Sequence, residues 1–281
     1  MKPTAKADPK PRTLDASAAR NFVARRTVVW VARVLVLLVG LCAWQLVCVS
    51  GGVSPDVLPR PRPTLQHLPT LLSKSETWQA VWQTLDGWAL GMAVSLPLAV
   101  GVGLVVGSSS WSYRATSVLI HFFRAVPIIA LLPLAVLTLG ATVHMKAFLV
   151  LLATFWVILL QTIHGVWDVD PMMDSMTRSF RLGWLARARW LLVPSIGAHV
   201  ATGFRLAAVL GILVSMGTEL LASVPGIGFK ILQAQTVADT VTEVDYIIIA
   251  VALALTMSVL LTLVERRILH WHPAYRERAS A

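Results

Sequence analysis

Five long stretches of this chain contain no Asp, Glu, Lys or Arg, and they constrain the fold more strongly than any motif does. They run over residues 34–55, 87–107, 125–145, 147–167 and 246–264. The apolar core of a bilayer takes about 20 residues of helix, so each stretch is long enough to cross it. A sixth stretch, 198–222, is interrupted by Arg205 and Glu219.

The composition excludes a water-soluble domain of this length. Charged residues make up 14% of the 281 residues and apolar residues 56%, whereas a soluble domain carries about 25% charged residues. The sequence therefore predicts an all-α, polytopic membrane protein with six transmembrane helices. We place these helices at about 28–50, 83–107, 117–140, 145–166, 197–222 and 245–265.

The remaining segments are predicted to lie outside the bilayer. Residues 1–27 form a basic, disordered arm, and residues 51–82 form a proline-rich external loop with an amphipathic helix before the second span. Residues 83–265 form a five-helix core that includes a long polar loop at 167–194. Residues 266–281 form a tail.

The Lys and Arg residues indicate the orientation of the chain. Sixteen of the 24 fall in segments on the same side as the two termini, whereas five fall in segments on the opposite side. Because cytoplasmic loops carry the excess of basic residues, both termini are predicted to be cytoplasmic. The net charge of +10 is then a signal of orientation, and it does not support nucleic-acid binding.

The polar loop contains a predicted short helix at about 171–182. Asp170 suits the N-cap, Pro171 suits the first helical position, and Gly183 suits the position that ends a helix. The acids at its start and the arginines at its end match the helix dipole. We therefore expect this helix to lie outside the membrane.

Three apolar residues form one stripe along the predicted loop helix: Met173, Met176 and Phe180. The stripe could rest on the protein's own spans or on lipid headgroups. It could equally enter a groove of a partner protein, since helix-in-groove recognition uses anchors three and four residues apart and methionine adapts to varied surfaces. The residues alone leave both interpretations open.

The second span carries glycines that are spaced four residues apart, in the pairs Gly87 with Gly91 and Gly103 with Gly107. Such pairs let helix backbones approach closely, either within one chain or in a dimer. The sequence contains no G-x-x-x-x-G-K-S/T motif, so no ATP-binding site of this type is predicted in the chain.

The polar loop resembles that of the inner-membrane permease subunits of binding-protein-dependent ABC importers. In that family the loop begins Glu-Ala-Ala, has a Gly six residues after the Glu, and closes with Leu-x-Leu-Pro or similar. Aligning the closing Pro on Pro194 places Glu-Ala-Ala on 175–177 and the Gly on Arg181. The acid and the glycine are therefore missing, although Asp174 and Gly183 lie close by.

The flanking segments extend the resemblance to about residues 55–276. Residues 121–127 are similar to the family's Leu-Arg-Pro-Ile-Pro stretch, and residues 203–207 to Gly-Leu-Arg-Ile-Ala. The segments 218–220 and 225–229 resemble Ala-Glu-Met followed by Gly-Leu-Gly-Tyr. The ending, 263–275, is most similar to the branch that serves aliphatic sulfonates, taurine and nitrate.

The resemblance implies the fold of a type I ABC importer permease in a bacterial inner membrane, paired with a second permease, identical or different. It also implies two ATP-binding subunits, which hold ATP and magnesium, and an extracytoplasmic solute-binding protein; no cofactor is expected in this chain. By the same resemblance, the loop residues that contact the ATPase would be Asp174, Ser175, Met176, Thr177, Arg178, Phe180, Arg181 and Gly183.

Four ionisable residues lie inside predicted spans: His121, Arg124, Arg205 and Glu219. Buried ionisable groups in a membrane are expensive and mark a pathway or a partner. These residues could line the solute pathway, where arginine suits an anion. Alternatively, the arginines could reach the inner headgroups or pair with Glu219 or Asp86 of a neighbouring helix.

The predicted function is therefore a permease subunit that moves a small anion of the sulfonate, taurine or nitrate class. An aromatic acid, a phosphonate or a vitamin precursor is an alternative solute. A secondary carrier or channel driven by an ion gradient is the rival class, and it would not need an exposed loop helix. A membrane enzyme is disfavoured because no nucleophile, base and acid are grouped in the sequence.

Overall fold

The computed structural model describes residues 16–50, 54 and 57–268, and within them every regular element is helical. A 3₁₀ turn, Ile128–Leu131, precedes α5, and a π-helical turn, Ala188–Leu192, precedes α9. The α-helices are α1 (Ala16–Val49), α2 (Pro61–Leu72), α3 (Ser75–Gly107), α4 (Ser110–Ala125), α5 (Leu132–Leu139), α6 (Val143–Trp167), α7 (Pro171–Ser179), α8 (Trp184–Arg187), α9 (Val193–Ala222), α10 (Ile227–Thr236) and α11 (Thr240–Ile268).

The chain divides at Arg62 into two compact units, and α1 belongs to the first of them. Within that unit, the indole Nε1 of Trp44 donates a hydrogen bond to the carbonyl oxygen of Pro59, 3.1 Å away. α1 begins at Ala16, within the segment 1–27 that the sequence predicts as a basic arm. Residues 1–15 of the arm, and 269–281 of the predicted tail, lie outside the described residues.

Four segments in the described part of the chain are long and apolar enough to cross a bilayer: α3, α6, Arg189–Thr236 (which contains α9 and α10) and α11. The bent pair of α4 and α5 makes a fifth if it counts as one span. These correspond to the second to sixth predicted spans. The first predicted span, 28–50, falls in α1, whose apolar part Val34–Val49 is shorter than the four long helices. The predicted count of six is therefore not confirmed.

The central helix of the second unit is α6, which packs against α3 on one side and α9 on the other. Its side chains Leu149, Val150, Ile158, Leu159 and Ile163 are almost completely buried. Burying such a side chain contributes about 1.5–3 kcal/mol, although a lipid reference state reduces that gain relative to water. Contacts along the whole length of α6 therefore hold the bundle together.

The glycines of α3 lie against α6, which confirms the interpretation of close packing within one chain. A Cβ added to Gly91 would lie 2.7 Å from the Val150 side chain, and one added to Gly103 would lie 2.7 Å from that of Thr162. Real Cβ atoms do not approach so closely, so only glycine fits at this helix spacing. Gly101, on another face of α3, meets nothing within 4 Å.

The third predicted span, 117–140, is wrong as a single straight helix. α4 ends at Ala125, and the following 3₁₀ turn and α5 run at 81° to it. Pro127 explains the break, because a proline has no N–H to donate and drives the preceding residue out of the helical region. Val126 accordingly has an extended conformation, with ψ of 123°. Apolar residues continue on both sides of Pro127, so apolar length alone could not reveal the break.

The segment 51–82, which the sequence predicts to lie outside the membrane, contains α2 and the start of α3. Nδ1 of His67 on α2 lies 2.7 Å from Oδ2 of the buried Asp245 on α11. α11 itself begins after Asp239, whose carboxylate accepts hydrogen bonds from the hydroxyl and the backbone N–H of Thr242. The hydroxyl bond holds the pKa of the Asp239 carboxyl below its ordinary value.

Replacing Gly103 by Ala should destabilise the bundle, because the new methyl group would overlap Thr162 on α6. Overpacking of this kind costs about 1–3 kcal/mol. Gly101→Ala is the matched control on the same helix, and its new methyl group enters open space. Thermal unfolding of the two purified variants in detergent measures the difference. Equal stability of the two variants would contradict the close contact between α3 and α6.

Candidate functional site

The loop helix α7 occupies Pro171–Ser179 and ends three residues before the predicted end at 182. Its start is as predicted: the backbone N–H of Met172 donates a hydrogen bond to Oδ1 of Asp170, 2.8 Å away. This bond satisfies one of the free N–H groups of the first helical turn.

Arg181, and not Gly183, holds the backbone conformation that ends α7. Its φ of 50° is left-handed, and the N–H of Leu182 donates to the carbonyl of Thr177 at 3.1 Å. That pattern is the Schellman motif, in which glycine is the usual residue at the left-handed position. The glycine of the resembled loop motif aligns on Arg181, and a side chain in this left-handed conformation is strained by about 1–2 kcal/mol.

The apolar stripe of the loop is exposed. Met173, Met176 and Phe180 have exposed fractions of 54%, 51% and 74%. The stripe therefore does not rest on the described spans of the same chain, which leaves lipid headgroups or a partner protein as its contact. An ion pair between Asp174 and Arg187 ties α7 to α8 and limits the motion of the stripe relative to the bundle.

The other predicted loop contacts differ in character. The hydroxyls of Ser175 and Thr177 donate to carbonyl oxygens of their own helix, at 2.8 Å in each case. Gly183 is exposed and has no atom within 4 Å of the position a Cβ would take. The side chain of Arg178 lies outside the described part of the chain.

Glu219 is completely buried and is paired with Lys146. Nζ of Lys146 lies 2.7 Å from Oε1 of Glu219, and it also donates to the carbonyl oxygens of Gln83 at 2.6 Å and Pro225 at 3.3 Å. A lysine has three N–H donors, and all three are used. This polar cluster therefore joins α3, α6, α9 and the turn before α10.

The carboxylate of Glu219 is also fully engaged. Oε1 lies 3.3 Å from the hydroxyl of Ser215, and Oε2 accepts from the hydroxyl of Thr84 at 2.9 Å and from the backbone N–H of Gly228 at 3.0 Å. The N–H of Ile227 donates to Thr84 Oγ1 at 2.9 Å. Glu219 and Thr84 thus satisfy the free N–H groups at the N-terminus of α10, where a negative charge is favourable.

Three glycines make room for this ion pair. A Cβ at Gly87 would lie 2.2 Å from Cε of Lys146, and one at Gly226 would lie 2.1 Å from the Glu219 carboxyl carbon. A Cβ at Gly228 would lie 2.2 Å from the carbonyl oxygen of Met216. The glycines at 226 and 228 therefore leave the space in which the turn before α10 encloses the carboxylate of Glu219.

Arg205 pairs with Glu265 on α11, at a distance of 2.9 Å, and not with Glu219. Thr202, one turn before Arg205, also donates to Glu265, at 3.3 Å. Glu265 is only 5% exposed, so its pairing stabilises the contact between α9 and α11. The interpretation of Arg205 as a paired residue is therefore favoured, although its partner differs from the two considered from the sequence.

His121 and Arg124 are exposed in the last turns of α4, directly before the break at Pro127. Between them, the ring of Phe123 stacks on Trp156 of α6, with centroids 5.6 Å apart and planes within 3°. This contact fixes the end of α4 against the bundle. The four residues predicted for a pathway therefore lie in three separate environments, and only His121 and Arg124 share a surface.

Lys146 and Glu265 were missed as partners because both stand near predicted span ends, where a charge normally reaches water. The position of Lys146 in the sequence could have predicted its burial. It separates two charge-free stretches, 125–145 and 147–167, and has no turn residue beside it. An isolated charge inside such a long apolar run predicts a buried partner.

Residues 95–271, more than half of the chain, match the family described as "Binding-protein-dependent transport system inner membrane component". The chain belongs to this family. It is 32% identical over 253 residues to the putative aliphatic sulfonates transport permease protein SsuC of Escherichia coli (strain K12), covering 88% of this chain and 95% of that protein. The taurine transport system permease protein TauC of the same organism is 25% identical over 241 residues, covering 84% and 88%.

The fold also matches a solved structure, the MetNI methionine ABC transporter in inward-facing conformations. The TM-score is 0.59 at 15% identity, with 69% of this chain and 95% of that chain covered. Together, the family and the fold confirm the predicted type I importer permease, with its resemblance to the sulfonate and taurine branch. The chain is a permease subunit of an ABC importer.

Removing one partner of the buried ion pair should destabilise the permease far more than removing both. Lys146→Met leaves a buried carboxylate without its counter-charge, which costs about 3–5 kcal/mol. In Lys146→Met/Glu219→Gln the charge is gone and the amide oxygen still accepts from Gly228, so most stability should return. Thermal unfolding and yield of folded protein measure both.

Two further variants sharpen that test. Exchanging the charges, Lys146→Glu with Glu219→Lys, should fail to restore stability, because an ammonium group would face the N-terminus of α10. Lys230→Met is the matched control, since it breaks the exposed pair with Glu76 and should cost less than about 1 kcal/mol. If Lys146→Met/Glu219→Gln is no more stable than Lys146→Met, the unpaired carboxylate is not the cause of the destabilisation.

Proposed function

We propose that this permease forms, with a second permease, the membrane pathway for a small anion of the sulfonate, taurine or nitrate class. The observation that carries the proposal is the exposed Met/Phe stripe on α7, in a chain related to sulfonate and taurine permeases. A carrier that works alone has no need of such a surface. An extracytoplasmic binding protein delivers the solute, and energy comes from ATP hydrolysis on partner subunits.

The α7 stripe is the proposed docking site of the ATPase, one subunit for each permease, with ATP and magnesium bound on the ATPase. Phe180 and Met176 would fill an apolar groove in the manner of helix-in-groove recognition. The Asp174–Arg187 pair and the bond from Met172 to Asp170 hold the helix in place. Movement of the ATPases would then be passed to α6 and α9, which enter and leave the loop.

The proposed pathway passes the exposed surface at the end of α4. Arg124 and His121 lie at a broken helix, and broken helices in transporters place polar groups at solute sites. The guanidinium group offers paired N–H donors that match sulfonate or nitrate oxygens. Arg205 and Glu219, by contrast, have partners within the chain, and we assign them to holding the helices in position.

The proposed location is a bacterial inner membrane, with both termini in the cytoplasm. Support comes from the family and from the sixteen Lys and Arg residues in segments predicted to lie on the same side of the membrane as the termini. This orientation places the α7 loop in the cytoplasm beside the ATPase, and α2 with α10 outside, where the binding protein arrives.

Phe180→Ala and Met176→Ala should each weaken the binding of the ATPase by about fivefold or more, because truncating an apolar anchor at the centre of an interface costs above about 1 kcal/mol. Co-purification and ATPase titration against the detergent-solubilised permease measure this. Leu137→Ala removes an equally exposed apolar side chain on α5 and serves as the control. Unchanged ATPase binding in both loop variants would exclude α7 as the docking site.

Arg124→Gln should lower ATP-driven uptake of taurine or nitrate by about tenfold or more, since a lost charged hydrogen bond is worth about 1.5–3 kcal/mol. The assay uses proteoliposomes containing the permease, its ATPase and its binding protein. Arg124→Lys should restore part of the rate. The control Arg114→Gln changes an exposed arginine of α4 that bonds only to its own helix, at Ser110, among the contacts described.

The same assay separates the importer from the rival class. Uptake should vanish when the ATPase or the binding protein is left out. Uptake by the permease alone under an ion gradient would instead identify a secondary carrier. If sulfonates, taurine and nitrate are not transported but another solute delivered by the binding protein is, the proposed substrate class is wrong and the ATP-driven mechanism is retained.

A further inference from the structure

A long cavity lies between α9 and α11 at the end of the bundle where Arg189, Arg266 and Arg267 are found. We call it the α9–α11 slot, and its volume is about 450 Å³. It extends from Val193 and Ile268 at one end to Arg205 and Leu261 at the other. All its lining residues belong to these two helices.

The length of the slot suits one acyl chain. Its lining runs along α9 from Val193 to Arg205, which are twelve residues apart, so the slot is about 18 Å long at 1.5 Å per residue. Acyl chains lie roughly parallel to the helices that cross a bilayer, and half of the apolar core is about 15 Å thick. One chain from a single leaflet therefore matches the slot in length.

The lining is apolar apart from one internally paired set of charges. Ala201, Phe204 and Val264 form the walls, and Arg205 is paired with Glu265. Water gains little in such a space, because an apolar cavity offers too few hydrogen-bond partners. The rim is open, since Val193, Val264 and Ile268 are about half exposed, at 59%, 49% and 56%. An acyl chain from the surrounding bilayer can therefore enter from the side.

The end of the slot that carries Val193 and Ile268 is positively charged. Arg266 and Arg267 are exposed on the last turn of α11, and Arg189 lies one turn before Val193. Basic residues at this level attract anionic headgroups, by about 1 kcal/mol each near the surface, and basic clefts between transmembrane helices bind anionic lipids.

We propose that the α9–α11 slot binds one acyl chain of an anionic phospholipid, with the headgroup held beside Arg189, four residues before the lining residue Val193. The bound chain fills the gap between α9 and α11 and supports the Arg205–Glu265 pair. This site is separate from the proposed pathway and from the α7 docking surface. Its occupant comes from the membrane and is not transported.

Native mass spectrometry of the delipidated permease, with phosphatidylglycerol or phosphatidylcholine added back, tests the proposal. The wild-type chain should retain one phosphatidylglycerol in preference to phosphatidylcholine. Arg189→Gln should reduce that preference by about fivefold, as expected for the loss of about 1 kcal/mol at the headgroup. Arg114→Gln, at an exposed arginine on α4, should leave the preference unchanged.

Ala201→Phe and Val264→Phe fill the slot from its two walls, and both should abolish lipid retention. Leu206→Phe places the same ring on an exposed position of α9 outside the slot and should have no effect. Thermal unfolding identifies any variant that is misfolded. If one of the two slot variants is misfolded, lipid retention by the other one tests the proposal. The proposal is overturned if the wild-type chain retains no lipid, if a folded slot variant retains as much as wild type, or if these variants disrupt a permease dimer without altering lipid retention.

Discussion

The ion pair between Lys146 and Glu219 is the interaction on which the arrangement of the permease depends. It is enclosed by α3, α6, α9 and the turn before α10, and both groups have their hydrogen-bonding capacity filled. Two buried charges in a membrane are tolerated only under these conditions, because an unfilled donor or acceptor would cost several kcal/mol. The pair therefore adds to the apolar and glycine contacts of α6 a polar contact that specifies where α3, α6, α9 and the start of α10 meet.

The positions of most helices could be predicted from the sequence because the bilayer sets a minimum apolar length. α6 and α11 agree with their predicted spans to within five residues at either end. The break at Pro127 was missed, because apolar length is insensitive to backbone geometry. The amphipathic helix predicted before the second span is continuous with that span in α3, which begins at Ser75.

The candidate sites were predictable to different degrees. The spacing of neighbouring residues predicts an amphipathic helix and its N-cap, so α7 and the exposed residues Met173, Met176 and Phe180 could be predicted.

Ion pairs between residues far apart in the sequence leave no such local pattern. Glu219 and Arg205 were therefore predicted as buried charges, but their partners Lys146 and Glu265 were not. Arg181 is a third case. The resembled motif has glycine at this position, whereas this chain has an arginine whose backbone is left-handed and therefore strained.

The glycines around the ion pair have a consequence for how this sequence can change over time. Gly87 is confined by the methylene groups of Lys146, and Gly226 by the carboxyl group of Glu219. A lineage that replaced the lysine with a shorter residue would release the restriction at position 87. Position 226 would still favour glycine after loss of the acid, because its φ is 154°. Covariation between 87 and 146 should therefore record whether a related permease has kept or discarded its buried charges.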